Sequence, residues 1–400
     1  MTPTVTAEQM AACLGDKRWR LNNLMQILPE DDEDGGLIPF VMRAEQEQFL
    51  RERHNRNFVP KARKLGMSTL IVLDNLDEAL TVPNTHCAIV DYREDDALKK
   101  LDIARRAWKE GPRHPNPVIA HIWAQIHKGL KMVKDTTERL EWSNGSCMEA
   151  STSFMGGTPR RIHWSEAGPQ SAHAPDRARK VKRGTLNAIG ANGLIDVETT
   201  MEGGEGTPAR DLFDLALSMV GKPLSRMDWR LHFFPWYGHP SYDLPGHVPQ
   251  SDEVLKYAAD MQAKHGISLP ASRWAWYEKK RQEQKDDVWT QFPTVAEEAI
   301  RTVIAGQIFP GMVTLKGAGR IRPLTIEAKY PLWTFWDIGN DGLSCWLGQQ
   351  VFRDILWHRF RFTTGQGAVM AAEWITQMEQ ETGRSIAKHF FPHDVDYRDR

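Results

Sequence analysis

The stretch Phe58-Val59-Pro60-Lys61-Ala62-Arg63-Lys64-Leu65-Gly66-Met67-Ser68-Thr69-Leu70 gathers residue types that handle phosphate. A loop of the form G-x-x-x-x-G-K-[ST] needs inward-facing amides, a hydroxyl for magnesium and a cation for the phosphate oxygens. Here Gly66 takes the second glycine position and Ser68 the hydroxyl position, but Met67 stands where the lysine belongs. Lys61, in the slot of the first glycine, offers an ammonium group from the front of the loop, and Arg63 and Lys64 add charge to the same turn. The same residues also describe a plain helix start capped by a hydroxyl, so the loop alone leaves both readings open. On the first reading Lys61, Ala62, Arg63, Lys64, Leu65, Gly66, Met67, Ser68 and Thr69 bind ATP with Mg²⁺, and Lys61 and Arg63 act on the phosphates.

An ATPase also needs an acid at the end of a neighbouring strand, to orient the attacking water or the metal. Ile162-His163-Trp164-Ser165-Glu166 lies about a hundred residues after the loop and offers Glu166 for the water. Ser165 stands where a magnesium-binding aspartate is commoner, which leaves the ion to Ser68, phosphate oxygens and water. A Glu at a strand end is also a common solvent-facing residue. Thr199 and Thr200 close the next strand and are candidates to sense the γ-phosphate or Glu166; β-branched residues are equally ordinary there. Arg160 and Arg161 are candidates for an arginine that acts on a neighbouring subunit's site, against the alternative of surface arginines at a turn. Towards the C-terminus, Asp337 ends an apolar run, and Asp394 follows a second one. Carboxylates on adjacent strand ends suit a two-metal phosphodiesterase centre with Mg²⁺ or Mn²⁺. Asp354, Asp341 and Asp396 are further candidate ligands, although Asp-rich turns are often plain loops.

The elements that position these residues follow from periodicity. Short strands at 57–59, 87–90, 161–164 and 193–198 alternate with helical stretches at 68–80, 94–109 and 176–187, which predicts a mainly parallel sheet. Asn144-Gly145 signals a hairpin. After Gly206 come a Pro-rich loop and two helices, then a second α/β pattern with a strand at 332–336 and a helix at 368–382. The expected division is 1–225, a P-loop ATPase domain; 226–305, a small helical linker or lid; and 306–400, a second α/β domain. Four hundred residues exceed one ordinary core, and the net charge of −1 neither requires nor excludes a nucleic-acid partner. No apolar run is long enough to span a bilayer, no secretion signal is visible, and four scattered cysteines fit a reducing cytosol.

Taken in order, the motifs resemble the large subunit of tailed-bacteriophage terminases, the DNA-packaging motor. Arg20-Leu21-Asn22-Asn23-Leu24 resembles the family's N-terminal segment, and Gln46 its adenine-contacting glutamine. Lys61 to Thr69 resembles its phosphate loop with the lysine moved forward. Gly156-Gly157-Thr158 leading to Ile162–Gly168 resembles the Walker B region, and Val197–Gly203 the coupling motif. Phe234-Pro235-Trp236 and Gln291–Ala299 resemble linker segments. Trp336-Asp337-Ile338-Gly339 and Pro392–Arg398 resemble the first and last acidic motifs of its RNase H-like nuclease.

The resemblance implies an ATPase that drives double-stranded DNA through a portal into a procapsid, and an endonuclease that cuts the concatemer. It implies DNA, a portal protein and a small terminase subunit as partners, and a ring of copies, expected as a pentamer, in the cytoplasm of the infected bacterium and outside the mature virion. Three departures stand out. Met155 occupies the slot where relatives carry the arginine finger. The second nuclease acid is missing near Arg359, with Asp354 the only carboxylate on that strand. The chain stops at Arg400, where relatives continue, so an incomplete nuclease domain is expected. A helicase-like or repair ATPase, and a non-catalytic DNA-binding scaffold with a degenerate loop, are the rival readings.

Overall fold

The computed structural model describes residues 7–29, 36–154, 157–202, 204, 206–246, 249–299, 315, 319–339, 342–364 and 368–392. The chain divides into two compact units, Met1–Gly306 and Gln307–Arg400.

The first unit opens with short helices and a small antiparallel pair, β1 (Gln26–Ile27) with β2 (Ile38–Pro39). Its main sheet uses β3 (Arg56–Pro60), β4 (His86–Val90), β5 (Met132–Asp135), β6 (Arg139–Trp142), β7 (Cys147–Ser151), β8 (Arg161–Ser165), β9 (Leu194–Thr199) and β10 (Arg230–Leu231). Their order is β10-β3-β9-β8-β4-β7-β6-β5. All pairs from β10 across to β7 are parallel, and β7-β6-β5 continues as an antiparallel edge. The hairpin at Asn144-Gly145 joins β6 to β7, with Gly145 at φ +81°. The helices Pro117–Gly129 and Pro208–Ser218 and the strand β5 were not evident from the sequence pattern.

Successive strand residues enter opposite apolar layers, as a period of two requires. Phe58, Ala88, Val90, Ile162, Trp164, Ile195 and Val197 pack on one side; Val59, Cys87 and Ile89 pack on the other with Leu70, Ile71, Leu73 and Leu76. The helix Met67–Thr81 joins an apolar run, Leu70 to Leu73, to the polar Asp74, Asn75 and Asp77, and all of these are buried. The 226–305 stretch shares this core: Phe234, Trp236, Tyr242, Trp274, Tyr277 and Phe292 belong to the same cluster as the phosphate-loop helix. Stacked rings run from Tyr277 to Trp236 (5.2 Å), to Trp276 (5.2 Å), to Tyr242 (4.2 Å), which accounts for two of the 15 tryptophans.

The second unit is a four-stranded sheet of order β13-β12-β11-β14, built from β11 (Leu332–Ile338), β12 (Leu343–Val351), β13 (Asp354–Thr363) and β14 (Ile386–Phe390). β11 and β14 are parallel and the other pairs antiparallel. The helix Ala368–Thr382 covers one face, with Trp374 and Met378 against Leu332, Trp336, Cys345 and Leu347. Among the described residues no helix is long and apolar enough to cross a membrane.

Candidate nucleotide site

Parallel strands end on one edge, and the order β3-β9-β8 brings three such ends side by side. Lys61 follows β3, Glu198 and Thr199 close β9, and Glu166 follows β8. Lys61 and Glu166 border a cavity of about 830 Å³ that is also lined by Lys64 to Thr69, Lys100 and Tyr242, while Glu198 and Thr199 are fully buried beside them. The 15-residue helix Met67–Thr81 begins at this cavity, so its N-terminal amides and dipole favour an anion there.

The loop is braced from several sides. Lys61 N–H donates to Thr199 O (3.0 Å), Ala62 N–H to Phe234 O (3.2 Å) and Arg63 N–H to Gln291 O (3.1 Å). Tyr242 Oη donates to Arg63 O (2.8 Å), and the Arg43 guanidinium to Lys64 O (3.1 Å). Lys64 and Gly66 are left-handed, at φ +59° and +67°, and a Cβ on Gly66 would lie 2.9 Å from Gln46 Nε2. That Gln46 amide is buried: Nε2 donates to Gly66 O (2.8 Å) and Oε1 accepts from Arg43 N–H (2.9 Å). Gln46 therefore holds the loop, whatever else it contacts. Met67, in the lysine slot, is 1 % exposed and packs in the core.

Lys61 Nζ lies 2.9 Å from Glu198 Oε2 and 3.7 Å from Glu166 Oε1. Burial disfavours its charge, but the two carboxylates outweigh burial and hold its pKa above the ordinary lysine value. Glu166 opens the helix Ala167–His173 at φ +50°, a strained conformation for a non-glycine residue. Gly168 makes this turn possible, since a Cβ there would meet Thr200 O at 2.3 Å. Burial raises the Glu166 pKa, Lys61 opposes the rise and the Glu198 charge adds to it; the net shift is upward. Thr199 Oγ1 accepts from Gly168 N–H (2.8 Å), and Thr200 Oγ1 donates to Glu166 Oε2 at 3.4 Å. Both threonines thus fix the Glu166 turn.

Glu198 is the residue that sequence reasoning missed. It is fully buried, and its Oε1 accepts from Ser68 Oγ (2.6 Å) and Ser165 Oγ (2.5 Å), with His163 Nε2 at 3.3 Å. Burial alone would raise its pKa; Lys61 and His163 prevail and keep it well below the usual carboxylate range. Its only sequence signal is its place before Thr199-Thr200 on a strand whose alternation reads Ile195, Val197 against Asp196, Glu198. Two more residues join from distant segments. Gln291 holds the Arg63 guanidinium through Oε1 and donates to Glu202 at 3.4 Å, and Lys100 pairs with Asp91 beside the cavity.

The two arginine candidates lie at the opposite end of β8 from Glu166. Arg161 is a correction: it is 4 % exposed, with its guanidinium on Asp74 and Glu78, so it cannot reach a neighbouring subunit. Arg160 is exposed beside it. Met155 lies outside the described residues.

In the second unit, Asp337 is exposed near the end of β11, and β14 runs parallel beside it with Phe335 opposite Phe390. Asp394, Asp396 and Asp341 lie outside the described residues. Asp354 is a second correction. Asp337 is in register with Ser344, and Ser344 with Phe362, whereas Asp354 pairs with Val351 at the far end of the hairpin. At about 3.4 Å per residue that is roughly 25 Å along the strand, too far to share a metal with Asp337. Arg359 is paired with Glu381 on the covering helix.

No protein-family model matches the chain, and no curated protein sequence matches it. Among solved structures, the chain is similar to the large terminase of bacteriophage HK97, with 12 % identity, 90 % of this chain and 69 % of that one covered, and a TM-score of 0.46. It is similar to a large terminase from a thermophilic bacteriophage, with 8 % identity, 89 % and 78 % covered, and a TM-score of 0.40. The Thermus phage P74-26 large terminase ATPase domain gives 14 % identity, 62 % and 92 % covered, and a TM-score of 0.34. All three are large terminases.

Proposed function

We propose that the first unit is an ATPase that drives double-stranded DNA into a viral procapsid, and that the second is a metal-dependent endonuclease that cuts the concatemer. The observation that carries the ATPase half is the meeting of Lys61 and Glu166, 3.7 Å apart, at a cavity that the helix Met67–Thr81 opens onto. The groups present suit a magnesium nucleotide: hard oxygen donors, the Lys61 ammonium group and a helix N-terminus face one space.

Lys61 stays charged and takes the role of the lysine absent at position 67, drawing negative charge from the phosphates. Glu166, with its pKa raised, is a better proton acceptor than an ordinary carboxylate and serves as general base for water. Ser68 supplies the hydroxyl for Mg²⁺, which would neutralise charge on the phosphates when bound. Thr200 reports the state of Glu166 to β9, and Arg63 reports the state of the loop through Gln291 to the 226–305 stretch. The ring of copies, the portal, the small subunit, the bacterial cytoplasm as the place of action, and Mg²⁺ or Mn²⁺ at Asp337 and Asp394 are parts of the same proposal, drawn from the motif resemblance.

Lys61→Ala and Glu166→Ala are each expected to lower ATP turnover by at least about a hundredfold while the circular-dichroism spectrum stays that of the wild type. Phosphate release measures it; near-normal release from either variant removes the mechanism. Duplex unwinding by the wild type would favour the helicase-like rival.

A further inference from the structure

We propose that Glu198, on β9, is the carboxylate that orients the magnesium ion of the nucleotide, in place of the acid that the β8 strand end lacks. The proposal rests on the nucleotide reading above and adds a residue to it.

In P-loop ATPases the ion is held by the loop Ser/Thr together with an acid at a strand end. On β8 that end is Trp164-Ser165-Glu166, and Ser165 is neutral. The parallel register sets Ser165 directly beside Glu198, so both side chains leave the same face of the sheet. A glutamate one strand over can therefore bring its carboxylate to the space in front of residue 165. The contacts agree: Ser165 Oγ donates to Glu198 Oε1 (2.5 Å), and Ser68 Oγ donates to that same oxygen (2.6 Å). The hydroxyl of the loop and the carboxylate of the strand, 130 residues apart in sequence, thus meet as the ion's two protein partners would.

The other carboxylate oxygen faces Lys61 Nζ at 2.9 Å, and His163 Nε2 lies 3.3 Å from Oε1. Full burial makes an ionised carboxylate costly unless it is paired and hydrogen-bonded, and Glu198 is both. It is held ready as an anion at the spot where hard oxygen donors suit Mg²⁺.

The test is equilibrium titration of the full chain with ATPγS, in excess Mg²⁺ and in EDTA, reading the ratio of the two affinities. Glu198→Gln is expected to keep or improve the metal-free affinity, because Lys61 loses its competitor, and to shrink the magnesium gain by about 10–100-fold. A purely structural role would weaken both affinities together. Adding Ser165→Asp to Glu198→Gln is expected to restore part of the gain by returning a carboxylate to the β8 end. Should Glu198→Gln fail to fold, as judged by thermal melting, Glu198→Asp keeps the charge opposite Lys61 but is one methylene short; it is expected to lose about tenfold of the gain. A full magnesium gain in the folded Gln variant, or in the Asp variant read in its place, overturns the assignment and leaves the nucleotide site standing. Equal wild-type affinity with and without Mg²⁺ does the same. Absence of any ATPγS binding by the wild type overturns both.

Discussion

His232 shows how much one buried side chain can matter. It is 4 % exposed, its ring meets the edge of Phe49 at 5.0 Å, and its Nε2 donates to Asn57 Oδ1 (2.9 Å). Burial, helped by the charge of Arg230, lowers its pKa to about 4. An unfolded histidine titrates near about 6.5. Between those values the unfolded chain binds more protons, so the first unit loses stability as pH falls from about 6.5 towards 4. His232 should contribute about 2 kcal/mol of loss between pH 7 and pH 5. Urea unfolding of the wild type and His232→Gln at both pH values checks it; an unchanged pH difference in the variant would refute the assignment. Tight positions at the site follow the same logic of scale. Gly66 is set by its left-handed φ of +67° and Gly168 by a 2.3 Å approach to Thr200 O, not by the loop motif as such.

At the scale of elements, the central strands are unusual in carrying charge inside. β8 alternates Arg161, His163 and Ser165 with Ile162 and Trp164, and β9 alternates Asp196 and Glu198 with Ile195 and Val197. The polar faces of both lie under the helix Met67–Thr81, which places Asp74 and Glu78 against Arg161. Arg53 bridges Asp74 to Asp196, Arg161 joins Asp74 and Glu78, and Lys17 lies 3.1 Å from Asp74. A buried parallel strand usually reads as a continuous apolar run; this pair reads as half-exposed strands and is not. Arg161→Met takes from the fully buried Asp74 one of its three cations, leaving Arg53 and Lys17, and is expected to cost about 1.5–3 kcal/mol. Arg210→Ala, which breaks a surface pair with Asp214 four residues on, should cost below about 1 kcal/mol. Urea midpoints of the two variants decide; equal losses would mean that the buried network is not a network.

At the scale of the molecule, the chemistry divides with the chain. Every group proposed for ATP lies before Gly306 and Asp337 lies after it. Asp337→Ala is therefore expected to remove Mn²⁺-dependent nicking of plasmid DNA and to leave ATP turnover within about twofold of the wild type, since the two sites belong to separate compact units with their own cores. Lys61→Ala should do the reverse. Nicking that survives Asp337→Ala would place the nuclease elsewhere, and loss of both activities in one variant would show the two units to be coupled.

The sequence by itself determined the local pieces: the loop with its forward lysine, the helix behind it, the strand ends at Glu166 and Asp337, and the helix Ala368–Thr382. Those follow from periodicity, glycine placement and residue type, all of which are local. Tertiary structure alone decided which pieces meet. That Lys61 pairs with Glu198 as well as Glu166, that Arg161 is locked inside, and that Asp354 points to the wrong end of its hairpin all depend on strand order and register. Register sets the face and the partner of every side chain at once, and no stretch of sequence states it.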